Sequence, residues 1–321
     1  MRILALHGSR VCAFPGGNPE EFPAIPSAVT VGSYDGLHVG HRRIIATMIA
    51  RARERNLRSV VVTFEPHPRI VLAGGSPCPV SLLTTLDEKI SHLEKMGIDL
   101  LFVVRFDREF ASRSSESFIR EVLVGLLGAR QVTVGYDHGF GHDRSGSGAT
   151  LRTLGAECGF SVEVVDEVLV DGEPVSSTRI RKLLVEGRVR EANSCLGAPY
   201  LVSGAVVDGL KRGRELGFPT VNLSRADSCK LLPANGVYAA KTVIDGREWP
   251  AMMNIGTRPT VSNDGSVTVE AHILGFSGDL YGREMIFSLL EYIREERRFE
   301  SLDLLREQLE ADKKRVELYR E

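Results

Sequence analysis

Ala28-Val29-Thr30-Val31-Gly32-Ser33-Tyr34-Asp35-Gly36-Leu37-His38-Val39-Gly40-His41 is the stretch that decides the fold. Its first four residues are a short apolar run and read as a buried strand. Gly32 to Gly36 supply turn chemistry. An amphipathic helix then begins, with Ile44, Ile45, Met48, Ile49 and Ala52 on the one face that a 3.6-residue period defines. His38 and His41 therefore stand where a strand hands over to a helix. A helix N-terminus carries unpaired N–H groups and partial positive charge, which favour a phosphate. Two imidazoles there can hold a nucleoside triphosphate and stabilise charge as phosphorus is attacked. Gly40 removes a side chain at the expected point of close approach. The plainer alternative is a pair of solvated first-turn histidines. The order of strand, glycine turn and helix favours the phosphate reading. Zinc is disfavoured, because no third ligand follows nearby.

The H-x-G-H pattern resembles the nucleotidylyltransferase superfamily, which transfers a nucleoside monophosphate from a triphosphate. The rest of the chain bounds that reading. Its 321 residues suit two domains rather than one core. A hydrophobic fraction of 43% and a charged fraction of 26% are those of a globular protein. The net charge of −2 provides no basic field for nucleic acid. No run approaches the roughly 20 apolar residues that span a bilayer, and no leader segment is evident. Five scattered cysteines without a C-x-x-C pair suggest a reducing compartment, so a cytoplasmic location is expected.

After the central motif, Ser59 to Phe64 is a β-branched run of the kind buried on both faces of a sheet. Glu65-Pro66-His67-Pro68 follows it and reads as a rigid loop. Thr85-Leu86-Asp87-Glu88 is a capping box that opens a helix closed by Gly97. Ile98 to Phe106 is the next strand. Phe118 to Leu126 is a helix, and Gln131 to Gly135 is a strand that runs into Tyr136-Asp137-His138-Gly139-Phe140-Gly141. Val162 to Val168 is again strand-like, whereas residues 10–27 read as a surface lead-in. Strands alternating with helices predict a doubly wound parallel sheet of α/β class. Ligands bind such sheets beyond the carboxyl ends of the strands. The glycine turn, the EPHP loop and the GYDHGFG loop should converge there. Ser177 and Arg181 are spaced i to i+4 and share a helix face, where hydroxyl and guanidinium suit a triphosphate.

GSYDGLHVGH, TFEPHP, GYDHGFG with its Arg-x-Gly tail, and SSTRIR occur in the order of the adenylyltransferase module of bacterial bifunctional riboflavin kinase/FAD synthetases. The resemblance runs from about residue 25 to about residue 190. It implies that His38, His41, Ser177 and Arg181 act on the triphosphate. It also implies that Gly32, Ser33, Tyr34, Asp35, Gly36, Phe64, His67, Pro68, Asp137, Arg144 and Thr178 bind ATP or flavin.

Near Gly197-Ala198-Pro199 the pattern changes. Leu201–Val207, Val237–Ile244, Trp249–Ile255, Val267–Leu274 and Met285–Ile293 are strands without long helices between them. They predict a small antiparallel β-barrel, followed by one helix from about Ser301 to Glu317. The expected domains are 1–195 and 196–321. Gly209, Gly213 and Gly217 with Lys211, Arg212 and Arg214 suit a loop that wraps phosphates. Thr220 and Asn222, two apart in an extended segment, face one side and can hold Mg²⁺. Asn254 and Arg258 lie in a turn, and Glu270 is a carboxylate within a strand that can take a proton if it faces bound phosphate.

These stretches resemble the riboflavin kinase module over about residues 198–320. On that resemblance RGRELGFPTVN binds flavin and Mg-ATP, and Glu270 is the general base. Val221 stands where Ala is common, His138 where an aromatic is common, and Gly275 where an acidic residue is common. The implied reaction sequence is riboflavin to FMN in the second half and FMN to FAD in the first, each step consuming ATP. The expected partners are these small molecules and not nucleic acid or a membrane; the sequence sets no oligomeric state. Alternatives are a single retained activity, another phosphate acceptor for the first half, and a barrel that binds RNA or protein.

Overall fold

The computed structural model describes residues 1–74, 78–137, 139, 148–209, 213, 216–224, 229–257 and 267–319. Two compact units divide at Ser176 and Ser177.

In the first unit, β1 (Arg2–His7), β2 (Arg10–Ala13), β3 (Ser27–Val31), β4 (Arg58–Glu65), β5 (Leu100–Arg105), β6 (Ala129–Gly135) and β7 (Ser161–Val165) form one sheet in the order β2-β1-β5-β4-β3-β6-β7. All neighbours are parallel except the edge hairpin of β1 and β2. That hairpin corrects the expected lead-in: residues 10–13 pair with residues 4–7. From β3 the chain steps to β4 and β5 on one side, then returns to β6 and β7 on the other. The order therefore reverses between β3 and β6, and a crevice opens at their carboxyl ends.

Both faces of the sheet are covered, and alternate residues serve the two cores. Val60, Val62, Leu100, Phe102 and Val104 pack with Phe118, Ile119, Val122 and Leu123. Val61, Leu101 and Val103 pack with Ile45, Met48 and Leu93. The period of two explains why the strands read as unbroken apolar runs. Each such side chain contributes about 1.5–3 kcal/mol by leaving water. Ile45 and Met48 belong to α1 (Val39–Glu54), which is also pinned to β7 by Arg51, whose guanidinium donates to both oxygens of Glu163 at 2.7 and 2.9 Å. A short helix α2 (Pro68–Leu72) follows β4. Pro68 was expected to forbid a helix, yet at the first helical position no N–H is missed. Then come α3 (Leu86–Met96), α4 (Arg108–Ala111), α5 (Ser115–Ser117), a π-helical stretch Phe118–Leu126 and α6 (Gly148–Cys158). A two-stranded hairpin, β8 (Leu169–Val170) and β9 (Glu173–Pro174), ends the unit.

The second unit opens with α7 (Ser177–Val185) and α8 (Val189–Leu196). The expected boundary at 195/196 gave these helices to the first domain; the compact division gives them to the second. The reason is their bonding. Asn193 donates to Leu289 O at 2.8 Å and accepts from Tyr200 N at 2.8 Å, while Ala234 N donates to Leu184 O at 3.0 Å. The strands β10 (Tyr200–Val207), β11 (Val221–Leu223), β12 (Gly236–Ile244), β13 (Arg247–Thr257), β14 (Val267–Ile273) and β15 (Glu284–Arg294) close a barrel in the order β10-β11-β14-β13-β12-β15. Each neighbouring pair is antiparallel. The three-residue β11 was missed in the sequence, being too short to show alternation. The C-terminal helix spans Leu302–Glu317 and is capped by Ser301, whose hydroxyl accepts from Leu304 N at 3.2 Å.

Candidate active sites

At the crevice of the first unit lies a cavity of about 540 Å³, lined by Gly32, Ser33, Tyr34, His41, Ile44, Phe64, Pro68, Arg69, Phe106, Phe110, Arg113, Phe118, Gly135, Asp137 and Gly139 among others. The three loops expected to converge do so in the described part: Gly32–Tyr34, Phe64 with Pro68, and Asp137 with Gly139 share its wall. Arg144 lies outside the described residues. His38, Asp35, Gly36 and His67 are not among the wall residues, and the structure gives three of them other work.

His38 is the N-cap of α1: its Nδ1 accepts from His41 N at 3.3 Å. Accepting there puts its proton on Nε2. Gly40 gives that cap room: a Cβ there would come 3.2 Å from the His38 ring and push it by a few tenths of an ångström. Within the described structure the group that comes close to Gly40 is the motif's own imidazole. The two histidine rings stack with centroids 3.6 Å apart. Burial pushes His38 down to about 4, against the pull of Asp137 and Asp35. Burial, then the charges of His38 and Lys89, hold His41 well below the ordinary histidine range. Both imidazoles are therefore neutral at pH 7. Among the described residues the buried His41 Nδ1 has no hydrogen-bond partner.

Asp35 is a bolt. Its buried carboxylate accepts from Leu83 N at 2.8 Å and Thr84 N at 3.1 Å, and Thr84 Oγ1 accepts from Gly36 N at 3.0 Å. His67 caps α2 by accepting from Arg69 N at 3.2 Å. Tyr34 holds φ +47°, in the left-handed region that bulky residues avoid. Its ring is buried over Gly32, where a Cβ would come within 3.0 Å of it. Thr30 Oγ1 donates to Thr133 O at 2.7 Å, so Tyr34 OH donates to Thr30 across 2.5 Å.

Sequence reasoning found Phe64 but missed its companions. Phe64 meets Phe106 at 5.7 Å, Phe110 at 6.2 Å and Phe118 at 6.3 Å between centroids. Arg113 lies over Phe110 at 5.5 Å. An aromatic wall with cations at its rim suits a flat, anionic ligand. Phe106 and Phe110 stand i to i+4 in RFDREF, a spacing that was available to be read.

The second unit holds its own cavity of about 740 Å³, lined by Gly213, Phe218, Thr220, Asn222, Met252, Asn254, Glu270, His272, Arg294, Glu296 and Leu302, Leu305 and Leu309 among others. Strand register assembles its polar floor: Asn222 of β11 and Asn254 of β13 both pair with Glu270 of β14. Thr220 and His272, each two residues from a member of this row, join the same wall. The Asn222 amide lies over Gly209, where a Cβ would meet it at 2.1 Å. Gly213 accepts from Phe218 N at 2.8 Å, and a Cβ there would meet Phe218 O at 2.2 Å. Gly217 turns the chain at φ +83°. Lys211, Arg212, Arg214 and Arg258 lie outside the described residues. Ser177, Thr178 and Arg181 sit on the first turns of α7 in this unit.

Three cavity residues were not foreseen. His272 shares its Nδ1 with Pro219 O at 2.7 Å and meets the Phe218 ring at 5.2 Å, which fixes the segment before Thr220. Burial pushes His272 down, so the neutral ring donates to that carbonyl. Glu296 accepts from Asn254 Nδ2 at 3.1 Å and so sets the direction of that amide. Arg294 pairs with Asp312 of the C-terminal helix at 2.8 Å, and Gln308 donates to the same carboxylate at 2.7 Å. Asp312 is 2% exposed. Asp312→Ala strips the charge from a buried partnership, so unfolding of this unit should lose about 3–5 kcal/mol. Urea unfolding of the full chain checks this; an unchanged midpoint would refute it.

Residues 23–179 match the family described as FAD synthetase, and residues 196–319 match the one described as riboflavin kinase. A bifunctional riboflavin kinase/FMN adenylyltransferase of Listeria monocytogenes is 35% identical over 91% of this chain and 92% of its own length. The protein of that description from Escherichia coli K12 is 37% identical over 92% and 93%. A crystal structure described as a macrolide-efflux protein of Streptococcus pneumoniae superposes with a TM-score of 0.84 at 31% identity, covering 92% of this chain and 96% of that one. Among the described residues no helix is long and apolar enough to cross a membrane. With two family matches in series and relatives that align nearly end to end, this chain belongs to the bifunctional riboflavin kinase/FMN adenylyltransferase family.

Proposed function

We propose that this chain converts riboflavin to FMN in its second unit and FMN to FAD in its first, using one ATP for each step. The observation that carries this reading is the pair of cavities, one in each unit, with unlike chemistry and each inside its own family match. In the barrel, Glu270 takes the proton of the riboflavin 5′-hydroxyl as its oxygen attacks the γ-phosphorus of ATP; ADP leaves. Thr220 and Asn222, with Glu270 beside them, are hard oxygen donors and fit Mg²⁺, which supplies charge neutralisation for the phosphates when bound. His272 and Glu296 orient this set through Pro219 and Asn254.

In the first unit, an oxygen of the FMN phosphate attacks the α-phosphorus of ATP, and pyrophosphate departs. A phosphate is already ionised at pH 7, so no protein base is required. His41 and the α1 N-terminus meet the charge that builds on phosphorus oxygens. His38 holds His41 and its backbone in place. The wall of Phe64, Phe106, Phe110 and Phe118 takes the isoalloxazine, with Arg69 and Arg113 toward the phosphates. Ser177, Thr178 and Arg181, on α7 at the start of the second unit, carry a hydroxyl and guanidinium pattern suited to phosphate. The functional domains are taken as 1–195 and 196–321, and a cytoplasmic location fits an enzyme that spends ATP twice.

A time course tests the whole reading. Purified protein with riboflavin, ATP and Mg²⁺ should form FMN first and FAD after it, as separated by chromatography. Chelation of the metal should stop the first step. FMN that accumulates without FAD would refute the adenylylation half. FAD formed only from added FMN would refute the Glu270 assignment.

A further inference from the structure

Lys89 is buried at 4% exposure within the first unit, on the first turns of α3, and lies off the cavity wall. Its ammonium donates to Ser33 O at 2.8 Å and to Thr63 Oγ1 at 3.2 Å. Thr63 in turn donates its own hydroxyl proton to Ser33 O at 3.3 Å, which leaves its lone pair for Lys89. Neither hydrogen-bond partner is a carboxylate; burial pushes Lys89 below the ordinary lysine range, and the more distant charges of Glu65 and Asp35 pull it only part of the way back. Taking an ammonium out of water is costly, and an apolar side chain of similar volume is commonly tolerated as well or better at such a position. Stability alone therefore does not account for this lysine.

Its position does. Ser33 O belongs to the turn Gly32-Ser33-Tyr34, all three residues of which face the cavity. The Tyr34 ring meets His41 edge to face at 5.2 Å. The start of α3 is bolted to the same motif a second time, through Asp35 and the Leu83 and Thr84 amides. We propose that Lys89 is a positioning residue of adenylyl transfer, whose buried side chain fixes, through Ser33 O and Thr63, the Gly32–Tyr34 turn against which His41 packs. Resting on the adenylyl-site reading above, it adds a residue to that site. Among the described residues the charged and titratable groups around this centre include His38, His41, Tyr34, Asp35, Glu65 and Asp137.

The test uses the full chain with Lys89→Met, Lys89→Arg and Thr63→Val, and His41→Ala in parallel. Readouts are FAD formation from FMN and ATP, thermal unfolding, and the histidine NMR titration of His41. Lys89→Met should lower kcat about 10- to 100-fold with KM changed less than about threefold, because a misplaced turn costs positioning and not binding. It should unfold no lower than the wild type. Removing the positive charge should raise the pH at which His41 titrates; Lys89→Arg should leave that midpoint in place. Wild-type kcat in folded Lys89→Met overturns the proposal, as does loss of activity matched by loss of stability with an unmoved His41 titration. Should Lys89→Met not fold, Thr63→Val decides: at constant volume it removes the hydroxyl that accepts from Lys89 and donates to Ser33 O, and should cost about three- to tenfold in kcat, and wild-type kcat would overturn the idea. If His41→Ala also makes FAD at the wild-type rate, the adenylyl-site reading itself is what has failed.

Discussion

Glu270→Gln is expected to lower phosphorylation of riboflavin by about 10²- to 10⁴-fold, the range of a positioned general base, while FMN supplied directly is still converted to FAD. Glutamine keeps the volume of glutamate and its place opposite Asn222 and Asn254 in the strand register, so packing is preserved. What it loses is the capacity to take a proton. In a phosphoryl transfer whose transition state is loose, most of the barrier is met by position and charge neutralisation. The variant therefore loses kcat, with the KM values for riboflavin and ATP little changed. The check is a pair of initial rates on one preparation, riboflavin with ATP and FMN with ATP. A Glu270→Gln protein within about threefold of wild type in the first assay would remove Glu270 from the chemistry. Loss of both rates in a folded protein would remove the separation of sites.

The contrast between what could be read in the sequence and what could not follows from the range of the interactions. β3, β4 and β6 were legible because a strand covered on both faces is a run of β-branched residues. The capping box of Thr85 and Glu88 was legible because four consecutive residues suffice to make it, and both of its hydrogen bonds are present. The edge strand Arg10–Ala13 was not, since four residues beside a proline-rich segment show no period. Thr220 and Asn222 were legible as a pair through the period of two, but their adjacency to Glu270 depends on the register of β11 with β14. Lys89 drew no reading from the sequence, because the acceptors that hold it are 56 and 26 residues away. Asp35 and Gly40 have work inside the fold that a motif alone does not show. Asp35 holds a loop 48 residues on, and Gly40 leaves room for the His38 ring.

His41→Ala is expected to lower conversion of FMN to FAD by about 10²- to 10³-fold, the loss that follows removal of one preorganised donor at a site of developing charge. Riboflavin phosphorylation should continue at the wild-type rate. The protonation of the site decides which kinetic constant moves. An imidazolium would attract the ATP phosphates in the ground state, and its loss would appear mainly in KM. Burial, helped by the Lys89 charge, keeps His41 neutral at pH 7, and a neutral imidazole would meet the substrate as a hydrogen-bond donor. Such a donor gains most as negative charge grows on the phosphorus oxygens, and its loss appears in kcat. The sign of the pH effect is set by His38, lowered to about 4 in the folded protein from an ordinary 6.5. As pH falls through 6.5 the unfolded chain takes up a proton that the folded one refuses, so the first unit loses stability on the acid side and gains nothing above pH 7. Rates measured between pH 7 and 8 therefore report chemistry, free of that linkage. A His41→Ala protein whose defect is cured by saturating ATP would show that the imidazole serves binding alone, and would shift the burden of transition-state stabilisation to the α1 N-terminus and Arg69 and Arg113.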